Sequence, residues 1–285
     1  MKIDLHIHTK TGSDGAMDVQ EVLAEAKKRG IELMSVTDHD AISHQTETKK
    51  LAKEMNIHYI LGVELNVTAT LNNNSASLDF LGYMYNPENT ALKEKIRLIQ
   101  EYREIRAHKI IDNLNEEFKK EGRPLFDDTD LQKIMDTVDG VLGRPHIANH
   151  LILKGIVADR QEAFDKYLIK CDVPKYPLLP EEAAALIRGA GGRIILAHPN
   201  APHGTSLAPV TQDLAEQTDI IEKNLLPYLD GVECWHSRAD AATSAHYMEF
   251  CKKHRKIMTG GSDCHQKPIL MGTVKVPEWV GRQFH

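Results

Sequence analysis

The chain has 285 residues, with 41% hydrophobic and 27% charged side chains and a net charge of −6. This composition is typical of a globular protein with a full core, built as one large α/β domain or as one domain with a sizeable insertion. The acidic balance argues against a protein that coats nucleic acid, but it allows a small phosphorylated substrate held by a local basic cluster. Neither a membrane span nor a signal peptide is evident, and four cysteines without C-x-x-C spacing are typical of reduced thiols. We therefore expect a cytoplasmic protein, and no stable protein partner is evident.

The first strand predicts a metal site. Residues 3–8 alternate strictly between apolar and polar side chains, so His6 and His8 share one strand face with Asp4. Two imidazoles that point the same way can bind one metal ion, and Asp14 follows in a glycine-containing turn. The alternative is a histidine-bearing terminal strand without chemical importance.

A βα rhythm continues to about residue 85. Strands alternating with helices predict a mostly parallel sheet, although the third and fourth strands flank three asparagines and look like a hairpin. The predicted helices cover residues 17–29 and 46–55, and the predicted strands cover 33–37, 59–67 and 78–85.

The pattern becomes entirely helical in the middle of the chain. No strand pattern interrupts this region, so we predict a helical insertion over residues 91–174 that acts as a substrate lid. Residues 1–90 and 175–285 would then form one discontinuous catalytic domain. The predicted helices of the insertion cover residues 92–120, 128–137, 145–154 and 160–170.

The βα rhythm then resumes and ends on further polar residues. We predict helices over 180–189, 211–226 and 243–254. The predicted strands cover 193–197, 231–235 and 257–260.

Polar side chains gather at the ends of these strands. In a barrel of parallel strands the C-terminal ends meet at one face, so residues remote in sequence can converge there. Imidazole and carboxylate without thiolate suit Zn, Mn or Fe. Nine candidates exceed the need of one ion, which favours two or three divalent ions. Such ions can hold a phosphoryl oxygen, activate a water to hydroxide and stabilise the leaving oxygen. The candidate ligands are His6, His8, Asp14, His39, Glu64, Asp79, His198, Asp263 and His265.

Five motifs at these positions resemble the PHP (polymerase and histidinol phosphatase) family of metal-dependent phosphoesterases. They occur in the family's order and span nearly the whole chain. The resemblance implies a distorted (β/α)7, TIM-like barrel with a trinuclear site. The motifs are His-x-His at 6–8, Thr-Asp-His-Asp at 37–40, Gly-Val-Glu at 62–64, Ala-His-Pro at 197–199 and Gly-Ser-Asp-Cys-His at 261–265.

The resemblance also implies how the ligands divide among the ions. Glu64 would bridge the first ion and the second, and the second would also bind His198. The first ion would further be held by His6, His8 and Asp263, and the third by Asp14, His39 and His265.

Asp79 departs from the family pattern, which usually has histidine at this position. A carboxylate can replace imidazole there, but it adds negative charge and favours a harder metal. Asp79 would otherwise be a solvated or supporting residue beside a weak second ion.

A narrower resemblance concerns phosphatases that release the 3′-phosphate of nucleoside 3′,5′-bisphosphates, some of which also trim RNA 5′ ends. It depends on the insertion and on residues 143–148 within it. Arg144 offers a bidentate fork for phosphate, and His146 could contact the phosphate or protonate the leaving oxygen. The alternative is that both residues merely cap a surface helix. For an enzyme of this subgroup, the candidate catalytic residues are His146 and Asp263.

Other polar residues have less specific signals. His236 is a candidate substrate contact or a support for a ligand, and Asp38 is expected to orient His39. Cys264 is expected to be a small buried residue, and the basic stretch 97–109 a solvated helix face. The remaining histidines are expected to be structural: His44, His58, His108, His150, His203, His246, His254 and His285.

These observations leave several functions open. The favoured one is hydrolysis of a phosphomonoester, and the favoured substrate is the 3′-phosphate of a nucleoside 3′,5′-bisphosphate such as bisphosphorylated adenosine. Alternatives are a histidinol-phosphate-type phosphatase, a nuclease on short oligonucleotides or RNA 5′ ends, and an inactive metal-binding module. A barrel amidohydrolase also begins with His-x-His, but the turn at Asp14, Glu64 and the lack of an obvious bridging lysine argue against it.

Overall fold

Three short parallel strands begin a barrel. In the computed structural model, which describes residues 1–202 and 205–284, β1 (Ile3–Asp4) pairs with β2 (Leu33–Met34), and β2 pairs with β3 (His58–Tyr59). Beyond β1, the Leu5 amide donates to the carbonyl of Gly260, on the last strand, over 3.1 Å. The first and last strands therefore lie side by side and close the sheet into a barrel.

Five further strands complete the barrel wall. They are hydrogen-bonded in chain order, and β5 runs antiparallel to both of its neighbours while the other pairs are parallel. The strands are β4 (Gly62–Leu71), β5 (Asn74–Tyr83), β6 (Arg193–Leu196), β7 (Gly231–His236) and β8 (Ile257–Gly261).

The predicted hairpin is confirmed at β4 and β5. The two residues between these strands, Asn72 and Asn73, have φ angles of 49° and 68°. Two consecutive left-handed residues are typical of a type I′ turn, which asparagine tolerates better than most residues.

The predicted third strand is interrupted. Residues 60 and 61 separate β3 from β4, yet the same register relates Leu33 to His58 and His39 to Glu64. β3 and β4 therefore follow one line along β2, and the barrel has seven strand positions. This agrees with the expected (β/α)7 architecture.

Helices cover the outside of the barrel. Asp18 caps α1 (Val19–Lys28) in a reciprocal capping box with Glu21, and the apolar face of α1 is buried as its sequence pattern predicts. The predicted helix over 211–226 is only partly regular, since α8 (Leu214–Ile220) continues as a π turn (Ile221–Leu225) and a 3₁₀ turn (Leu226–Tyr228). The helices are α1 (Val19–Lys28), α2 (Gln45–Glu54), α7 (Pro180–Gly189), α8 (Leu214–Ile220) and α9 (Ala241–His254), with a 3₁₀ segment at Glu278–Phe284.

A helical segment, residues 90–172, joins the hairpin to α7. Its first helix contributes to two cores: Leu92 and Ile96 pack in the barrel, whereas Leu114 and Phe118 pack among the other helices of the segment. The segment thus has its own apolar core on a helix anchored in the barrel. Its elements are α3 (Thr90–Glu121), α4 (Asp128–Met135), α5 (Arg144–Leu153), α6 (Arg160–Ala163) and a π helix (Phe164–Leu168).

Among the described residues, no helix is both long enough and apolar enough to cross a membrane.

Candidate metal centre

Glu64 lies at the middle of a cluster of buried imidazoles. Its Oε2 is 3.1 Å from the His8 Nε2 and 3.1 Å from the His39 Nδ1, and its Oε1 is 3.2 Å from the His198 Nε2. The Nε2 atoms of His6 and His8 are 3.1 Å apart. Three strand ends thus place four imidazoles around one carboxylate, as the sequence pattern predicts.

A second group of donors lies at the mouth of the barrel. Potential ligand atoms of His8, Asp14, His39 and His265 all lie within 4.8 Å of one another. Asp14 Oδ1 is 3.4 Å from the His265 Nε2 and has no hydrogen-bond partner among the described residues. A buried carboxylate oxygen without a donor fits a cation there.

Asp263 connects the two groups. Its Oδ1 is 3.4 Å from the Nε2 of both His6 and His8, and 3.3 Å from the His265 Nδ1. Its Oδ2 is 3.4 Å from the His236 Nε2, so His236 also contacts the cluster. Asp263 has φ of 53°, a left-handed conformation that is uncommon outside glycine and that often occurs at functional sites.

Asp79 lies at the edge of the cluster and is held by polar neighbours. It accepts hydrogen bonds from the Asn66 Nδ2, over 2.6 Å, and from the Thr205 hydroxyl. Its Oδ2 is 3.9 Å from the His198 Nε2. Burial and the nearby Glu64 carboxylate raise the pKa of Asp79. The structure thus brings Asp79 near His198. Among the described residues, potential ligand atoms converge within 4.8 Å in three overlapping groups, and Asp79 belongs to none of them. The groups are His8, Asp14, His39 and His265; His6, His236 and Asp263; and His6, Glu64 and His198.

The charges of the cluster fit divalent cations. Burial opposes ionisation of Glu64, Asp263 and Asp14, yet the surrounding imidazoles hold their pKa values well below the usual range. Burial likewise lowers the pKa of His8, but Asp263 and Glu64 outweigh it and raise the pKa to about 10. Ionised carboxylates thus attract protons onto the imidazoles, and a divalent ion can replace those protons.

Glu233, on β7, supports this cluster and was not predicted. Its Oε1 accepts a hydrogen bond from the His6 Nδ1 over 3.1 Å, and its Oε2 accepts one from the His198 amide over 2.9 Å. The first bond leaves the His6 Nε2 free for a metal. The available signal was a carboxylate within a buried strand, since a fully buried glutamate needs a partner.

Asp38 does not orient His39, contrary to our expectation. Its carboxylate accepts hydrogen bonds from the Thr9 amide and the Ser13 hydroxyl, at 2.6 and 2.7 Å, and pairs with the His44 Nε2 at 3.0 Å. It therefore fixes the loop that carries Asp14. This loop passes so close that a Cβ on residue 12 would lie 2.1 Å from the Asp38 Oδ2.

Arg144 and His146, both on α5, have different surroundings: Arg144 lines the cavity at the cluster and His146 does not. The Arg144 Nη1 donates to Asp172 and to the Leu168 carbonyl, at 2.7 and 3.2 Å, and its Nε and Nη2 have no partner among the described residues. The side chain lines the same cavity as Glu64. His146 is buried and its Nδ1 accepts the Gly143 amide over 3.1 Å, so it caps its own helix and does not line this cavity.

The basic stretch 97–109 is only partly a solvated face. Arg97 pairs with glutamates on the outside of α3, as we expected. Arg103 instead binds Asp40 through two nitrogens, and buried Arg106 pairs with Asp172. Our expectation was therefore wrong for Arg103 and Arg106, because α3 turns these two side chains away from solvent and towards Asp40 and Asp172.

The remaining predictions concern residues outside the cluster. Cys264 is buried, as expected, and its carbonyl accepts the His8 amide over 3.1 Å. His203 and His285 lie outside the described residues. His44, His150, His246 and His254 each contact a polar side chain away from the three ligand groups.

The cluster opens into a cavity of about 740 Å³, wide enough for a nucleotide-sized ligand. A barrel with imidazoles and carboxylates at its strand ends, and with an arginine in the same cavity, is the kind of site that metal-dependent phosphoesterases use. The model of the PHP domain matches residues 4–170, so the chain belongs to the PHP family.

Two similar proteins of named activity are both phosphoester hydrolases, in agreement with this family. The chain is 32% identical over 201 residues to the 3′,5′-nucleoside bisphosphate phosphatase of Chromobacterium violaceum. The aligned region covers 69% of this chain and 66% of that protein. It is 29% identical over 208 residues to the 5′-3′ exoribonuclease of Haemophilus influenzae, covering 70% and 69%. The chain thus spans about two thirds of each relative.

A solved structure from Bifidobacterium adolescentis shares the fold. It superposes with a TM-score of 0.82 at 24% identity and covers 99% of this chain and 94% of that one. The barrel and the helical segment therefore occur together in that protein as well.

Proposed function

We propose that this phosphoesterase removes the 3′-phosphate of nucleoside 3′,5′-bisphosphates. The observation that carries the proposal is the placement of Arg144 in the same cavity as the ligand cluster. The phosphate that is cleaved needs a metal centre for its reacting oxygens and a cation that holds its other oxygens.

The ligand cluster would hold two or three divalent ions. His6, His8, Glu64 and Asp263 would bind the first; Glu64 and His198, with Asp79 nearby, the second; and Asp14, His39 and His265 the third. Mn, Zn and Fe all suit this donor set. When bound, such ions polarise the phosphoryl group, activate water and stabilise the leaving oxygen.

The chain's own residues would position the substrate. The free Nε and Nη2 of Arg144 offer two parallel donors to a phosphate, while Asp172 and the Leu168 carbonyl hold the guanidinium through Nη1. His236 would hold Asp263 in place or contact the substrate. The helical segment would act as a substrate lid that excludes water from the cavity.

Phosphate release from adenosine 3′,5′-bisphosphate in the presence of Mn²⁺ tests the proposal. We expect turnover by the wild type and its loss in Asp263→Asn. We expect Arg144→Gln to raise KM by about tenfold or more, because a charge-assisted pair is lost. Arg282→Gln, an exposed change away from the cavity, is the control. A wild type with full metal content that releases no phosphate would refute the substrate assignment.

A second candidate is trimming of short oligonucleotides from RNA 5′ ends, which the similarity to the Haemophilus influenzae exoribonuclease favours. Turnover of mononucleotide, oligonucleotide and histidinol phosphate separates the three specificities. Equal inactivity of wild type and Asp263→Asn on all three would support a metal-binding module instead. Hydrolysis of amides or lactones would support an amidohydrolase. The four cysteines are buried free thiols, which supports a reducing compartment such as the cytoplasm.

A further inference from the structure

A second cavity adjoins the metal centre. It has a volume of about 380 Å³ and lies at the seam between the helical segment and the barrel. Asp14, Asp263 and Arg238 line both this cavity and the larger one, so the two are continuous. We call it the seam cavity.

Three cationic side chains from separate parts of the fold line the seam cavity. Arg160 comes from α6, Arg238 follows β7, and Lys267 follows β8. Among the described residues that line it, the only carboxylates are Asp14 and Asp263, which the metal cluster already engages. Away from the metal centre, the seam cavity therefore has a positive lining.

Two of these cations lack partners. Among the described residues, the Arg238 guanidinium and the Lys267 ammonium make no hydrogen bond or ion pair, whereas most other arginines of the chain bind a carboxylate or carbonyl. The Arg238 amide donates to the His236 Nδ1 over 3.1 Å, which fixes its backbone beside the ligand cluster. Unpaired cations at a fixed place beside a metal centre offer charge to an anion.

Arg160 closes the seam. Its Nη1 donates to the Gln266 Oε1 over 2.9 Å and its Nε to the Asn149 Oδ1 over 2.8 Å. The first bond joins the helical segment to the loop that carries Lys267. This bond is made by a charged donor to a neutral acceptor, so the positive charge of Arg160 is not neutralised.

We propose that the seam cavity is an anion subsite for a phosphate group of the substrate that is not cleaved. This inference rests on the proposed function, because it divides one substrate between two cavities. Arg144 lines only the larger cavity, and Arg160 and Lys267 line only the seam cavity. Phe164 lines both, and its ring would contact the nucleoside between the two phosphates. The phosphate belongs to the 5′ end of a nucleotide or to the next phosphodiester of a short oligonucleotide.

Binding of adenosine 5′-monophosphate to the metal-free protein, measured by calorimetry, tests the subsite without turnover. We expect Arg238→Gln and Lys267→Gln each to weaken this binding by about tenfold, since a charge-assisted contact is lost. The controls are Arg282→Gln and Lys109→Gln, which remove equal charges from exposed positions outside both cavities. Binding by the two subsite variants that equals the controls would overturn the proposal, and so would a wild type that does not bind the monophosphate.

Turnover identifies the source of the phosphate. If the subsite holds the 5′-phosphate of a nucleotide, Arg238→Gln should lower kcat/KM for adenosine 3′,5′-bisphosphate about tenfold more than kcat/KM for adenosine 3′-monophosphate. If the subsite holds the next phosphodiester of an oligonucleotide, the larger loss of kcat/KM should occur for the oligonucleotide. Equal losses on all substrates would overturn the subsite. If the wild type hydrolyses none of them, the proposed function fails, while the binding experiment still decides whether the subsite exists.

Discussion

Glu233 contacts two ligand-bearing segments at once. It accepts hydrogen bonds from the His6 ring and from the His198 backbone, and it is fully buried. Burial raises its pKa, but the neighbouring His6 outweighs burial and lowers it. The ionised carboxylate therefore makes the His6 ring a stronger ligand through its other nitrogen.

Replacing Glu233 by Gln tests this role. The amide keeps one acceptor but loses the charge, so we expect Mn²⁺ affinity to fall roughly 10–100-fold. Equilibrium dialysis followed by metal analysis measures it. The matched control is Glu222→Gln, on the surface, which leaves metal affinity unchanged. If Glu233→Gln retains the affinity of the wild type, Glu233 is only a packing residue.

Gly12 is a second residue without ligand atoms that the site requires. A Cβ at this position would lie 2.1 Å from the Asp38 Oδ2 and 2.5 Å from the His44 Cε1. Gly12→Ala must therefore displace the loop that carries Asp14. We expect a loss of about 1–3 kcal/mol in the free energy of unfolding, measured in urea, and fewer ions bound per chain.

Gly189→Ala is the control for this change. A Cβ there meets nothing within 4 Å, so stability should stay equal or rise slightly. A Gly12→Ala protein as stable as Gly189→Ala, with its metal content intact, would contradict the close approach of the loop to Asp38.

The sequence predicted the residues of the cluster better than their supports. The candidate ligands follow strand-like runs, and a parallel barrel brings such positions together. Asp38 was misassigned because its partners Thr9 and Ser13 lie about thirty residues away in sequence. Periodicity could not point to Arg238, because this residue lies in the loop after β7 and its position is set by the end of that strand.

At the scale of elements, the hairpin depends on its two-residue turn. Asn73 has φ of 68°, where a β-branched residue is strained. We expect Asn73→Val to lower the free energy of unfolding by about 1–2 kcal/mol, and Asn73→Gly to leave it equal or higher. Urea denaturation measures both. Equal stability of the Val and Gly variants would show that the turn relaxes without cost.

Helix α3 fastens the helical segment to the metal centre through Arg103. Its Nε and Nη2 donate to the Asp40 Oδ2, and its Nη1 donates to the Leu142 carbonyl over 3.3 Å. Asp40 follows the candidate ligand His39. The anchor therefore couples the position of the segment to the ligand loops.

Arg103→Lys keeps the charge but loses the fork, so we expect faster amide hydrogen exchange in residues 139–142 and about tenfold lower kcat/KM. Arg97→Lys, on the outer face of the same helix, is the control. Unchanged exchange in Arg103→Lys would mean that packing alone holds the segment.

Element boundaries were predictable where periodicity and capping agree. The predicted helix over 180–189 matches α7 to the residue, since Pro180 begins it and a glycine ends it. The helices over 160–170 and 211–226 pass into π turns, which the hydrophobic pattern cannot distinguish from continued α-helix. The break between β3 and β4 likewise leaves the apolar run intact.

For the whole molecule, the metal centre joins three parts of the chain. Its candidate ligands come from the N-terminal strands, the hairpin and the C-terminal strands. The seam cavity adjoins them. The sequence indicated the barrel and the separate helical region, but not that α3 belongs to both cores. Its many charged residues hid the fact that one end of this helix packs in the barrel and the other end packs among the other elements of the helical segment.

Metal removal should therefore destabilise the whole barrel rather than one loop. The unfolded chain cannot assemble ligands from distant strands, so ions bind the folded state and stabilise it by about 2.7 kcal/mol at a free concentration 100 times Kd. We expect a chelator to lower Tm, and Mn²⁺ to restore it, in the wild type. In a Glu64→Gln variant the restored increment should be much smaller, because Glu64 contacts His8, His39 and His198. The same Tm with chelator and with Mn²⁺ in the wild type would show that the cluster does not need an ion to hold its strands together.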